Sequence, residues 1–364
     1  MGDVATESYL KRRDEGWNAM VAAAQAAWQS PKGVIAAAVR RAAGSDMAGH
    51  ERVMAGLTNE VYAATTANGQ AIIVRISHAP GPQFEQERWA IERCRAAGVP
   101  VPDILSLEHD VPVPGPAGEE RVSICVERTL AGEPLGRIVT ARGAGDPISI
   151  ALLEKAGAVL ARVHTIPTKG HGHLDGDGRG RWPSWDSFLL DFLDNPAMAE
   201  CLERLRCSSG GGGEAAEVAD VVEAAAAALR AGRDVLRALP PRLVHHDYEP
   251  WHVFADATPG AERITGVIDH ESCRGGDPAY DLAQWHVVHD VYAPVAPVVA
   301  GYRAAGGWID SFETRLRLSL VHYRLNDLLH RICGSDAGDR PVAVDADVVT
   351  GARRLANEVA RSGG

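Results

Sequence analysis

Residues 243–281 read LVHHDYEPWHVFADATPGAERITGVIDHESCRGGDPAYD, and this stretch decides the fold. Leu243-Val244 runs into His245-His246-Asp247, and Val253-Phe254-Ala255 forms a second short apolar run. After a turn around Pro259-Gly260, Gly266-Val267-Ile268 ends at Asp269. Short apolar runs bounded by Gly, Pro and Asp read as strands joined by turns. The pattern predicts a hairpin-like frame that presents Asp247, His252 and Asp269 at one edge. Those residue types suit phosphoryl transfer, in which one carboxylate orients an acceptor hydroxyl and a second, with a neighbouring ligand, holds metal ions against the phosphates. Singly, each has a plainer reading. Asp after an apolar strand often caps a helix or satisfies a turn, and HxD arises by chance.

The joint spacing of three linked motifs carries the argument further. His245-His246-Asp247-Tyr248-Glu249-Pro250-Trp251-His252 is followed by Gly266-Val267-Ile268-Asp269-His270 and by Gly276-Asp277-Pro278-Ala279-Tyr280-Asp281-Leu282-Ala283. Here the chain resembles the aminoglycoside phosphotransferase family of the protein-kinase-like superfamily, whose pattern is H-G-D-x-x-x-x-N, then I-D-W/F, then G-D-P-x-x-D-L-A. The resemblance implies an α+β, bilobal protein-kinase-like fold, with a small antiparallel-sheet N-lobe and a mostly helical C-lobe. It makes Asp247 the catalytic base, Asp269 the main magnesium ligand, and His252 the occupant of the second metal-ligand position, where Asn is usual. Macrolide phosphotransferases are similar in carrying His there; imidazole ligates divalent ions, although magnesium prefers oxygen. Asp277 and Asp281 read as structural, since Gly-Asp-Pro starts a helix with Asp at the cap and Pro at its first position.

Upstream, Glu51-Arg-Val-Met-Ala and Val61-Tyr-Ala-Ala-Thr-Thr flank Gly56-Leu-Thr58-Asn59-Glu60, a hairpin predicted to lie over phosphates. Ala71–Ser77 sets Arg75 inside an apolar strand, and a cation buried in a β-run needs an anionic partner. Glu87, in a helix predicted over 82–97, occupies the position of the family's ion-pairing Glu, and Arg75 that of its phosphate-binding Lys or Arg. The plain alternative is a surface strand and a solvated helix charge. Arg121–Glu127 reads as a strand leading to the family's hinge, where backbone groups from Glu127 to Thr129 would meet adenine. Phe254 and Ile268 either floor the base pocket or pack the core.

The periodicity of 148–166 predicts a buried amphipathic helix. Further helices are predicted over 215–237, 279–304, 310–332 and 341–360. The glycine-rich, then aromatic run 170–186 reads as a loop near the acceptor cleft or a plain connector. Asp175-x-Asp177-x-Arg179 lacks the downstream acid of a calcium loop. Cys207–Gly213 reads as a flexible linker.

With 364 residues the chain has material for two lobes. Three divisions are expected: 1–50 as a helical extension, 51–130 as the nucleotide-binding N-lobe, and 131–364 as the C-lobe with the catalytic and metal site. The extension's two Ala-rich helices, Thr6–Gln29 and Gly33–Ala43, either cap the nucleotide lobe or make a homodimer contact. The six cysteines contain no CxxC pair and read as reduced thiols without zinc. No signal peptide or membrane span is evident, so a cytoplasmic protein is expected. A formal net charge of −11, from 48 acidic and 37 basic residues, disfavours nucleic acid and suits a cationic small molecule.

The resemblance therefore implies a small-molecule kinase that uses Mg2+ and moves the γ-phosphate of ATP or GTP to a hydroxyl of an antibiotic-like, cationic acceptor. Glu249 and Glu271 are candidates to receive cationic groups, with solvated turns as the alternative. Two other readings are a metabolic sugar or amino-alcohol kinase and a nucleotide-binding pseudokinase scaffold. The second is prompted by His246 for Gly, Arg75 for Lys, His252 for Asn and His270 for an aromatic residue. Both carboxylates are present, which favours the active enzyme.

Overall fold

The computed structural model describes residues 19, 21–23, 28–54, 58–115, 118–191, 193–194, 196–208, 213–309, 311–333, 344 and 346–362. The expected helix over Thr6–Gln29, the hairpin tip at Gly56-Leu57 and most of the linker at 209–212 lie largely outside them. The chain divides into two compact units: Met1–Arg88 with Pro102–Leu130, and Trp89–Val101 with Ala131–Gly364.

The first unit is an antiparallel sheet of β1 (Met47–Val53), β2 (Glu60–Thr66), β3 (Ala71–Ser77), β4 (Ile104–Gly115) and β5 (Gly118–Arg128), ordered β1-β2-β3-β5-β4. Alternation along β2 and β3 puts Tyr62, Ala64, Ile72, Val74 and Ile76 on one buried face. Helix α1 (Lys32–Ala43) covers that face with Ile35, Ala38 and Val39. Gly44, left-handed at φ 64°, ends the helix and donates its amide to the Arg40 carbonyl. The register brings Val61 and Cys125 to either side of Arg75.

The second unit is mostly helical and built on two cores. One surrounds α4 (Pro147–Val163), whose Leu152, Leu153, Ala156 and Leu160 pack with Val253, Ala255 and Val267. Asp146 caps this helix by accepting the amides of Ile148 and Ser149, with Pro147 in its first turn. Helix α10 (Val295–Ala304) crosses α4 where a Cβ on Gly157 would stand 1.9 Å from the Val298 carbonyl oxygen. The other core gathers α5 (Trp185–Asp191), α7 (Glu214–Ala231), α11 (Phe312–Cys333) and α12 (Ala346–Ser362).

Three of the predicted elements are redrawn. The run 170–186 holds two short strands, β7 (His171–Leu174) and β8 (Gly180–Trp182), in a sheet ordered β8-β7-β12-β9, where β9 is Arg242–Val244 and β12 is Arg274–Gly276. Left-handed Gly172 permits this hairpin, because a Cβ there would strike Trp182 and Phe188. Asp175 turns the tip by accepting the amides of Asp177 and Arg179. The helix expected over 215–237 breaks at Gly232, packed under Leu318, and resumes as α8 (Arg233–Arg237). The helix expected over 279–304 is α9 (Ala279–His289) followed by α10, divided where Pro294 denies the ladder an N–H. The second unit also contains α3 (Leu135–Arg142), α6 (Pro196–Ser208) and a sheet ordered β11-β10-β6 from β6 (Glu133–Pro134), β10 (Val253–Asp256) and β11 (Arg263–Val267). No helix among the described residues is long and apolar enough to cross a membrane.

Candidate active site

Asp247, His252 and Asp269 stand at the ends of β9, β10 and β11, and one ligand atom from each falls within 4.8 Å of the others. Antiparallel pairing of Val253 with Val267 sets His252 beside the end of β11, and the Ile268 amide donates to the His252 carbonyl at 2.9 Å. His252 Nδ1 lies 2.9 Å from the Asp247 carbonyl oxygen, which can only accept, so Nδ1 carries the proton. Nε2 then faces Asp269 Oδ2 and Glu249 Oε1, each at 3.4 Å, with its lone pair available to a cation. Burial opposes charge on this imidazole, but Asp269, Glu249 and Asp247 outweigh it and raise its pKa above the ordinary value. One imidazole and two carboxylates in this arrangement fit a divalent ion of the magnesium type, with a preference weakened by the nitrogen.

Asp247 is part-buried, and its carboxyl accepts from Gln284 Nε2 at 3.1 Å. Burial pushes its pKa up to about 6, with Glu249 and Asp269 adding to the rise and His252 opposing it. A base with a pKa near working pH is both ionised and able to take a proton. Two of the five non-glycine residues with positive φ among those described are His246 (64°) and Asp269 (65°). Strained backbone of this kind persists where surrounding contacts hold it.

Asp281 does much of that holding. Its Oδ2 accepts the His245 amide at 2.9 Å and lies 3.0 Å from His164 Nε2, while Oδ1 accepts the His246 amide at 2.8 Å. His245 Nε2 donates to the Ile268 carbonyl at 3.0 Å, which joins the loop before Asp247 to the strand end before Asp269. Burial, reinforced by His270, lowers the His245 pKa to about 3, so the ring is neutral. In the sequence Asp281 reads as structural, and no motif marks Gln284 or His164 as part of the site. The available signal was spacing, since Gln284 follows Asp281 by three residues on α9 and the two share a face. Asp277 has the expected cap role, accepting the Ala279 amide at 3.0 Å, and also forms a buried ion pair with Arg315.

The other predicted residues divide by unit. In the first, Arg75 Nη1 donates to Glu87 Oε1 at 2.6 Å with both side chains buried, and the guanidinium lies over the Phe84 ring. Asn59 is buried and Thr58 exposed at the start of β2. Glu127 is buried on β5. The Thr129 amide donates to the Ala71 carbonyl and the Arg128 amide to the Asp103 carbonyl, so neither is free for a base. In the second unit, Phe254 and Ile268 are half-buried while Val253, Ala255 and Val267 are buried, so the first two face away from the core. Glu249 lies between His252 and His289, whose Nε2 is 3.1 Å from its Oε2. Glu271 is half-buried in the 3-10 turn His270–Ser272.

The sequence profile of the phosphotransferase enzyme family (APH) matches residues 50–318. The chain belongs to this family. No curated protein matches the sequence. The fold is similar to solved structures of the phosphotransferase family at low identity. A thermostable mutant of aminoglycoside phosphotransferase APH(4)-Ia, in ternary complex with AMP-PNP and hygromycin B, is 18% identical with a TM-score of 0.62, covering 91% of this chain and 98% of its own. A putative fructosamine-3-kinase from Thermobifida fusca is 17% identical with a TM-score of 0.56, covering 90% and 98%. The GDP and kanamycin complex of APH(2")-IIIa is 14% identical with a TM-score of 0.56, covering 92% and 100%. The chain is thus a phosphotransferase with the kinase-like architecture of an antiparallel-sheet unit and a helical unit.

Proposed function

We propose that this phosphotransferase moves the γ-phosphoryl group of ATP or GTP to a hydroxyl of a small molecule, with Asp247 as the catalytic base. The convergence of Asp247, His252 and Asp269 on one point carries the reading. Asp247 accepts the hydroxyl proton as the acceptor oxygen bonds to the γ-phosphorus and the bond to the β,γ-bridging oxygen breaks, releasing the nucleoside diphosphate. Gln284 holds the carboxyl in place through Oδ1. Asp269 and His252 would hold Mg2+, which when bound neutralises phosphate charge. Arg75, fixed by Glu87, is assigned to the phosphates, with Thr58 and Asn59 beside the phosphate-covering hairpin. Phe254 and Ile268 supply apolar surface for the base.

The nucleotide complexes of structural relatives, with AMP-PNP in one and GDP in another, support a purine nucleotide donor. Both carboxylates are present and preorganised, which favours an enzyme over a scaffold. The test is magnesium-dependent nucleotide turnover across a panel of alcohol acceptors, wild type beside Asp247→Asn. Turnover should fall by about 10²–10⁴-fold in the variant while nucleotide binding persists; equal turnover in the two proteins would remove Asp247 from its role.

A further inference from the structure

The strand pairing next to Asp247 builds a wall unlike the one that the net charge of the chain suggests. On β12, Arg274 pairs with His173 of β7 on one side and with Val244 of β9 on the other. Cross-strand partners project to the same face. His246 follows Val244 by two residues, immediately before Asp247. Its ring stacks on Tyr280, with centroids 5.0 Å apart and planes 8° apart. At the other side of Arg274, Trp182 and Phe188 meet edge to face at 5.0 Å, with His173 against both. Trp182, Phe188, His246 and Arg274 are all half-buried, so this aromatic wall reaches solvent beside the base.

The charge of this wall is positive. Arg274 Nη1 is held by the Ser272 and Cys273 carbonyl oxygens, and its buried Nε has no hydrogen-bond acceptor. Among the described residues Arg274 makes no ion pair, and the groups that favour its charge are the Cys273 thiol and the Tyr280 phenol, neither of them a carboxylate. Buried guanidinium groups are normally paired with an anion. Asp281 holds two backbone amides and His164, and Asp186 holds Arg233 and Arg237. Burial and the Arg274 charge both keep the His246 and His173 rings neutral.

Resting on the kinase reading above, we propose that the acceptor is a flat, ring-bearing alcohol carrying an anionic group, with Arg274 binding that anion and the half-buried His246, Trp182 and Phe188 rings receiving the flat part, while buried Tyr280 backs His246. The anion completes the missing partner of Arg274, and the ring stacks as rings do on aromatic faces. A polycationic acceptor would instead bring positive charge against an uncompensated guanidinium. Aromatic faces alone would also attract a cation, so Arg274 is the residue that sets the sign. The overall charge of −11 acts weakly here, because charges beyond about 8 Å are screened at physiological salt. Arg274 is therefore a specificity-determining residue, and its neighbours on β7 and β8 are part of the acceptor wall.

The test uses the full-length protein with Mg2+ and a non-hydrolysable ATP or GTP analogue. Phenyllactate, 3-phenylpropane-1,2-diol and phenylalaninol share a ring and a hydroxyl and differ in charge, so their affinities by calorimetry isolate its effect. Phenyllactate should bind at least about tenfold tighter than the diol, consistent with a charge-assisted contact, and phenylalaninol should bind weakest. Arg274→Gln should remove that order without changing nucleotide affinity. Phenyl phosphate beside phenyllactate distinguishes a phosphate from a carboxylate as the preferred anion. In the wild type, phenyllactate should also protect Arg274 from modification by butanedione, read by mass spectrometry, which needs no folded variant. A preference for phenylalaninol or kanamycin, equal affinity for the three, no binding by any, or an unprotected Arg274 overturns the proposal. Nucleotide binding reports separately on the kinase reading. Analogue binding with a cation-preferring acceptor site sinks only this inference, whereas failure to bind any nucleotide removes both.

Discussion

Asp281→Asn changes one atom at the point where the loop before Asp247 is anchored. In the wild type the two carboxylate oxygens accept from two different backbone amides, His246 on Oδ1 and His245 on Oδ2. Asn has one acceptor oxygen and one NH2 group, so either amide orientation sets a donor against one of these N–H groups. With the NH2 at the Oδ2 position, it can donate to His164 Nε2, because the Nδ1 of that ring lies 2.8 Å from the Tyr302 hydroxyl and can take the proton. The His245 amide is then left without a partner. A hydrogen bond to a charged group is worth about 1.5–3 kcal/mol, and a buried unsatisfied donor costs about 1–3 kcal/mol. We expect a loss of about 3 kcal/mol, measured as a lower urea midpoint at unchanged slope. Asp247 should also move, and for a catalytic base a displacement near 1 Å costs about 10²-fold in rate. The kcat should therefore fall by that order while nucleotide affinity, measured by titration, stays near wild type. An Asp281→Asn protein that loses under about 1 kcal/mol and keeps its kcat would refute the assignment of Asp281 as a positioning residue.

Four further outcomes follow from the same geometry. Glu87→Gln keeps an acceptor oxygen for Arg75 but removes the charge opposite its buried guanidinium; breaking such an ion pair costs up to about 3–5 kcal/mol, and nucleotide affinity should fall with it, whereas unchanged affinity would detach Arg75 from the phosphates. His252→Ala should weaken Mg2+ binding by at least about tenfold, read by metal titration of turnover, and His252→Asn should restore it by supplying oxygen. Glu60 is fully buried; desolvation raises its pKa, but hydrogen bonds from His78, Tyr62 and Ser30 outweigh that and hold it at about 2 against an ordinary 4.5. Its contribution, about 3 kcal/mol from the shift, is present above pH 4.5 and lost as pH falls from there through 2. His78 is raised above 6.5, chiefly by its bond to Glu60, so its contribution is present below 6.5 and lost as pH rises through the folded value. Thermal scans should place these two contributions together between about pH 4.5 and 6.5, and Glu60→Gln should flatten the acid limb; an unaltered limb would exclude Glu60. Gly157→Ala sets a Cβ against the Val298 carbonyl and should destabilise by about 1–3 kcal/mol as an overpacked contact, against a gain if helix propensity alone governed.

The site was legible where chemistry and strand ends coincide. His252 directly precedes and Asp269 directly follows an apolar run, Asp247 follows one after two histidines, and a strand of known direction delivers such residues to a common edge. Arg75 and Glu87 were legible for a similar reason, since a cation within an apolar strand requires an anion and the next helix offers one near its start. What the sequence conceals is the use of groups whose partners are backbone. Asp281 looks like an ordinary helix residue because its ligands are the amides of His245 and His246, which carry no residue identity. The hairpin of 170–186 escaped for a related reason: its strands are three and four residues long, below any readable alternation, and glycine in the left-handed region sets its path. Helix breaks at Gly232 and Pro294 were visible as residues but weighed against long apolar periodicity, and there local backbone chemistry prevailed over pattern.

His246 joins these two kinds of information. A residue at φ 64° there would cost least as glycine, which is the family's usual choice by resemblance. Retaining a side chain at that strained position makes sense when the ring has work that repays the strain. The ring stacks on Tyr280 and meets the charge of Arg274, and it stands next to Asp247, the proposed base. His246→Gly should therefore relax the backbone by about 1 kcal/mol and yet weaken acceptor binding. Stability and acceptor affinity would then move in opposite directions, measured by urea unfolding and by phenyllactate titration. If both fell together, His246 would be a packing residue, and the acceptor wall would lose its edge nearest to Asp247.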